Sequence, residues 1–411
     1  MTTAARPQAV FILSKFPCYD EVFILRELYA LSKEMDFIIF SLKKPKDRVV
    51  HAEAEELMPR VVYVPYLFSW RILRAQWKVF WRFPRRYALA LVKHILGNLR
   101  SPEFLVKGLV FFPKAVYLAQ LIKERHVPLM HACWATYPAS VAMMASEITK
   151  VPFSMTGHAH DIYMDTTHLK EKINRAAFVS TCTESNKDYL MKIAPDCPGE
   201  RIAVIRHGLE LHRFSAPEKK GNSVFEILTV GTLHFYKGFN YLVDAAGILK
   251  KRGFKFHVTI VGGGALEQDL ARHIRLFGLE DSVTMTGPLK QTEVIPYFRK
   301  TDVMVLMAQS RWHWGIPNVL IEALAANAAV ITTRFGSVEE LVRDGETGLI
   351  IPAQDPAALA DAIEKLCRDE TLRLRLANAG HRFVTESFDL SKNIHAFRER
   401  LVQSARATQV P

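Results

Sequence analysis

The chain has 411 residues, 49% hydrophobic and 23% charged, with no low-complexity tract or short-period repeat; it is too long for one ordinary core, and disorder is excluded. Its five cysteines (Cys18, Cys133, Cys182, Cys197, Cys367) are scattered and form no C-x-x-C pair, so neither a disulfide framework nor a zinc site is indicated and a reducing cytosol fits best. The net charge of +12 is concentrated between Arg71 and Arg125, where twelve Lys and Arg outnumber Glu103 and Glu124.

In the first half, AVFILS (9–14), DFIIF (36–40), PLMHACW (128–134), VPFSMTG (151–157) and AAFVSTCT (176–183) are apolar runs of strand length. Helix-like stretches separate them, the pattern of buried parallel strands in a doubly wound α/β sheet. AVFILS lacks the basic leader and cleavage site of a secretion signal. Every longer apolar stretch is broken by charge or proline, as by Pro113 and Lys114, before about 18 residues, so no transmembrane helix is expected. At about 100° per residue, Arg71, Arg74, Lys78, Arg82 and Arg85 share one side of a helix, and Trp70, Leu73, Trp77, Phe80 and Trp81 the adjoining side. An amphipathic surface helix is expected, its aromatic side turned either to lipid or to the protein interior. Across residues 70–125 the interleaved charges and aromatics favour an anionic membrane surface. No nucleic-acid motif accompanies them, so no nucleic-acid partner is expected.

The polar segment SAPEKKGNS (215–223) reads as a linker between a domain spanning 1–214 and another spanning 224–390. The second domain repeats the alternation with FEILTVG (225–231), KFHVTIVGGG (255–264), SVTMTG (282–287), DVMVLMAQS (302–310) and AAVITT (328–333). The helix-like run 391–411 is expected to return to the first domain. Gly231 ends a strand, and Lys237 with Gly238 opens the next helix, a geometry suited to a phosphate. Gly262, Gly263 and Gly264 are equally well explained as turn formers. Asp20 and Glu21 read either as first-turn acids complementing a helix dipole or as acceptor contacts. His131 and His160 read as structural histidines.

Residues 310–356 carry Gly315, Pro317, Asn318, Leu320, Glu322, Gly336, Glu340, Gly345, Gly348 and Asp355. In that order and spacing they closely resemble the donor-site region of the retaining "group 1" glycosyltransferases of the GT-B fold. ILTVGTLHFYKGFNYLVDAA, VTIVGGGALEQDL, IAVIRHGLELHRF and HACWATYPASVAMMASEITKVPFSMTGHAHDIY are similar to further family segments. SKFPCYDEVFILREL resembles the N-terminal segment of members that build exopolysaccharides. The resemblance implies two doubly wound Rossmann-like domains facing across a cleft. It also implies transfer with retention from a nucleoside diphosphate sugar, held by the second domain, to a glycan or lipid-linked acceptor entering from the first. No metal or other cofactor is implied. Residue by residue, it assigns the donor diphosphate to Gly231, Lys237 and the backbone of Gly315, Ile316, Pro317 and Asn318, the ribose hydroxyls to Glu322, and the donor sugar near its anomeric centre to His158.

Two positions depart from the family pattern. Trp314 stands where the first glutamate of a pair is usual, and Thr232 where an arginine follows the glycine; Arg311 is the candidate replacement, and the Trp314 indole could stack on the donor sugar. Two readings therefore stand. One is a cytoplasmic transferase, peripheral at the inner face of a membrane, that extends a lipid-linked or cell-surface glycan. The other is a catalytically silent glycosyltransferase-like subunit that binds a partner or a nucleotide.

Overall fold

The computed structural model describes residues 8–18, 21–45, 52–98, 102–214, 224–309 and 315–406; Asp20, Arg311, Trp314 and the segment 215–223 lie outside the described residues. The chain divides into two compact units, Met1–His207 with Ser391–Pro411, and Gly208–Leu390. The division falls before the polar segment 215–223. The backbone explains this: the Leu209 N–H donates to the Phe388 carbonyl (2.8 Å) and the Leu390 N–H to the Leu209 carbonyl (3.1 Å), tying the start of the second unit to its end.

In the first unit, seven parallel strands are described: β1 (Ala9–Leu13), β2 (Phe37–Ser41), β3 (Val61–Tyr63), β4 (Met130–Ala132), β5 (Phe153–Gly157), β6 (Val179–Thr181) and β7 (Ile202–Val204). They lie in the order β3-β2-β1-β4-β5-β6-β7, with Val10 opposite both Ile38 and Met130. Helices cover both faces of such a sheet, which is why β1 is apolar throughout and wholly buried. The strand order reverses between β1 and β4. At such a point the loops leaving the two carboxyl ends diverge and open a crevice for a ligand.

Helices Trp70–Arg82, Pro84–Asn98 and Pro102–Arg125 fill the basic aromatic region. Ser69 caps the first, its Oγ accepting from the Ile72 N–H. Ile72, Ala75 and Val79 form its buried face. Trp70, Trp77 and Trp81 are 75%, 67% and 62% exposed, and Leu73 and Phe80 are exposed with them. On a helix these five lie roughly opposite the buried trio, so the aromatic side points away from the protein interior. The reading in which these aromatics form core is therefore excluded, although Phe111 and Phe112 on the third helix are buried.

Helix Leu390–Arg406 packs in the first unit, where the Phe397 ring lies 5.0 Å from His131, 6.3 Å from Phe178 and 6.4 Å from Phe11. Among the described residues, no helix is long and apolar enough to cross a membrane.

The second unit has six described parallel strands: β8 (Phe225–Val230), β9 (Phe256–Val261), β10 (Val283–Gly287), β11 (Val303–Leu306), β12 (Ala329–Thr333) and β13 (Leu349–Ile351). Their order is β10-β9-β8-β11-β12-β13, which reverses between β8 and β11. Two glycines are steric requirements of the loops there. Gly262 has φ +145°, and a Cβ on it would sit 1.9 Å from the Gly231 carbonyl oxygen. Gly238 has φ +71°, and a Cβ on it would sit 2.2 Å from the Met307 carbonyl oxygen, beyond β11.

Candidate functional site

The second unit gathers its predicted site residues at the strand reversal. Gly231 ends β8, and a helical turn, Phe235–Lys237, precedes helix Phe239–Lys251. The Gln309 N–H donates to the Tyr236 carbonyl (2.9 Å), fixing this turn to the segment that follows β11. The Lys237 ammonium lies 5.9 Å from the centre of the Tyr236 ring and has no carboxylate partner among the described residues. Burial pulls its pKa down to about 8. Past β11, a Cβ on Gly315 would meet nothing within 4 Å among the described residues, and Pro317 leads into helix Asn318–Ala325, whose first turn has no side-chain cap. Helix N-terminal amides of this kind are anion donors. Ile316 packs against the core of the unit.

Glu322, buried on that helix, accepts a hydrogen bond from Gln291 Nε2 (2.9 Å) at the start of helix Gln291–Lys300. Thr232 is exposed.

In the first unit, the loops after β4 and β5 are locked together. The His158 N–H donates to Asp161 Oδ1 (2.6 Å), and the other Asp161 oxygen accepts from the Ala135 N–H. Lys172 Nζ donates to the Ala135 and Thr136 carbonyls (2.7 and 3.1 Å). Asp161 and Lys172 are both buried. Burial pushes the Asp161 carboxyl up to about 7, against the pull of the Ala135 and His158 amides, and draws the Lys172 ammonium down to about 8.

On this frame the His158 ring meets Trp134 (centroids 4.4 Å), Phe23 (5.2 Å) and His207, which stacks at 5.2 Å and 11°. Neither ring nitrogen of His158 has a hydrogen-bond partner among the described residues. Burial, then the neighbouring His207 charge, hold its pKa well below the ordinary range, so the ring is neutral. His207 Nδ1 lies 2.6 Å from Glu27 Oε1. Burial opposes charge on His207, yet the Glu27 carboxylate and the hydrogen bond with Cys182 carry its pKa up to about 10. A charged imidazolium therefore stacks on a neutral imidazole.

His131 sits in the core between Ser154 and Thr156 (2.8 and 3.0 Å), and burial draws it down to about 3; His160 is exposed. Glu21 directly precedes helix Val22–Leu31, which supplies Phe23 and Glu27. Among the described residues no three His, Cys, Asp or Glu side chains converge to hold a metal. Sequence reasoning missed Glu27, Trp134, His207 and Gln291. The first three lie inside quoted segments, where the motif, rather than any single side chain, was the signal.

Two doubly wound parallel sheets, one in each unit, are the architecture of the GT-B fold, which solved glycosyltransferase structures share. The structure of Anabaena HepE in complex with UDP shares the fold, with a TM-score of 0.69 at 17% identity over 96% of this chain and 100% of that one. A glycosyltransferase from Rickettsia africae does so at 0.70 and 16%, over 97% and 98%. Residues 212–383 match the family Glycosyl transferases group 1, so the chain carries a group 1 glycosyltransferase domain. It is 32% identical over 182 residues to the amylovoran biosynthesis glycosyltransferase AmsK of Erwinia amylovora, covering 43% of this chain and 45% of that one. The matched stretch spans 45% and 44% of the length of the first two such relatives, so more than half of each lies outside the match.

Proposed function

We propose that the protein is a retaining, metal-independent glycosyltransferase of polysaccharide biosynthesis. It moves a sugar from a nucleoside diphosphate sugar to a glycan or lipid-linked glycan at the inner, cytoplasmic face of a membrane. The observation that carries this reading is Lys237, a desolvated ammonium without a counter-ion on one side of the strand reversal, with the uncapped amides of Asn318–Ala325 on the other. A leaving diphosphate gains negative charge as its bond to the sugar breaks, and a fixed cation with helix amides stabilises that charge without a metal. In this reading Gly231 and Gly315 give the diphosphate close access, and Glu322, oriented by Gln291, accepts from the ribose hydroxyls. His158, neutral and fixed by Asp161, meets the donor sugar. Retention rests on the sequence pattern of residues 310–356, and UDP, the ligand of HepE, is the first nucleotide to test.

Membrane attachment rests on helix Trp70–Arg82, whose tryptophans face outward beside Arg71, Arg74, Lys78 and Arg82. Apolar insertion with a basic flank is how an interfacial helix holds an anionic bilayer.

The test is transfer of sugar from a panel of nucleotide sugars to membrane-extracted acceptors, alongside calorimetric titration with UDP. Turnover with at least one donor is expected. UDP binding without turnover from any donor would select the silent-subunit reading, and neither binding nor turnover would overturn the donor site.

A further inference from the structure

A second group of cations stands at the carboxyl edge of the first unit's sheet, apart from the elements that frame His158. Lys114, on helix Pro102–Arg125, is only 8% exposed, and its ammonium donates to the Leu42 carbonyl just past β2 (3.2 Å). It also lies over the Phe111 ring, 5.1 Å from the centroid. Lys43 and Lys44 follow Leu42 and are exposed, with Lys44 over the Tyr63 ring at 5.7 Å. The loop after β1 is pinned to the same edge: the Phe16 N–H donates to Ser41 Oγ (2.9 Å), and Tyr63 Oη donates to the Phe16 carbonyl (3.0 Å). No carboxylate among the described residues pairs with Lys114, Lys43 or Lys44. Burial and then the neighbouring Lys43 charge both disfavour the charged form of Lys114.

A lysine buried over nine-tenths of its surface, its ammonium held by one carbonyl and one aromatic ring with a second cation close by, is costly to keep charged unless an anion joins them. Carboxyl edges of parallel sheets are where ligands enter.

We propose that Lys114, Lys43 and Lys44 form a phosphate-binding pocket that takes the phosphate or diphosphate of the acceptor. This deepens the reading of the protein as a transferase, on which it rests, by giving the acceptor a chemical class. The phosphate belongs either to a lipid headgroup or to a soluble phosphorylated glycan.

The experiment titrates the full chain with inorganic pyrophosphate by calorimetry. Two equivalents are expected to bind, one at Lys237 and one here. Lys114→Met, and separately the exposed pair Lys43→Gln with Lys44→Gln, should weaken one equivalent about tenfold or more and spare the other. Lys237→Ala should do the converse. Wild-type binding of both equivalents in the lysine variants would overturn the pocket while leaving the donor site intact. Loss of all binding in the lysine variants with no effect of Lys237→Ala would sustain the pocket and overturn the donor site. A second arm uses phosphatidylcholine vesicles with and without phosphatidic acid. If Lys43→Gln with Lys44→Gln loses the preference for phosphatidic acid as well as pyrophosphate, the phosphate is lipid-borne; if it loses pyrophosphate alone, the phosphate is soluble.

Discussion

Lys237 concentrates the donor reading in one side chain. Replacing it with alanine should weaken UDP binding by roughly 1.5–3 kcal/mol, about ten- to hundredfold, and leave uridine binding nearly unchanged, because the ammonium addresses phosphate alone. Equal loss of both ligands in calorimetry would remove the assignment. The pH dependence follows from burial. With the free ammonium drawn down to about 8, UDP should bind with proton uptake above that pH and lose affinity as pH rises further.

Glu27 and His207 give the opposite sign. Because the folded pKa of His207 is raised, its contribution to stability is fully present below the ordinary histidine value near 6.5 and is lost as pH climbs through about 10. Glu27→Gln should therefore destabilise the first unit at neutral pH, and the deficit should shrink at alkaline pH. Burial would then leave His207 titrating below 6.5, a change visible in its imidazole proton resonance; an unmoved titration would contradict the pair.

Lys237, His158 and Glu322 were legible in the sequence because each stands within a contiguous motif. Glu27 and His207 were not, since they meet across 180 positions, and Gln291 reaches Glu322 across 31. Contacts of that span are products of the sheet order and leave no local spacing to read.

The helix Trp70–Arg82 shows what periodicity can decide and what it cannot. Helical spacing separated a basic side from an aromatic one, but a wheel is silent on which apolar sector meets the core. Packing chose the smaller trio Ile72, Ala75 and Val79 and left the tryptophans outside. Trp77→Ser with Trp81→Ser should consequently lower sedimentation with anionic vesicles while leaving the melting temperature almost unchanged. Glutamine at Arg74, Lys78 and Arg82 should weaken attachment by about 1 kcal/mol per charge at low salt, with little difference at high salt. A drop in melting temperature without any change in sedimentation would place the tryptophans in a structural role.

The short strands β3, β7 and β13 escaped sequence reading; β4 and β6 are equally short but were read within the longer runs 128–134 and 176–183. In the loops the reverse holds, since glycine marks its own necessity. Gly238→Ala should cost at least about 1–3 kcal/mol in the second unit, as its methyl would meet the Met307 carbonyl. Urea unfolding of the variant measures it.

At the scale of the whole molecule, the first unit is made from both ends of the chain. Ile394, Phe397 and Leu401 of the last helix are buried, and each large apolar side chain contributes about 1.5–3 kcal/mol when fully buried. Removing residues 391–411 should lower the unfolding transition of the first unit by several kcal/mol and spare that of the second. Calorimetry with limited proteolysis would tell which unit falls, and a selective loss in the second unit would contradict the partition.

The same arrangement sets an order of events during synthesis. Residues 208–390 leave the ribosome as an uninterrupted block whose two ends are hydrogen-bonded neighbours, so this unit can finish folding while translation continues. The earlier-made sheet has to wait, with the place of Phe397 beside Phe11, His131 and Phe178 still unfilled, until helix Leu390–Arg406 has been made. A stalled or prematurely terminated message would therefore release a nascent chain with a folded second unit and an unfinished first one, an apolar seam that chaperones and proteases recognise.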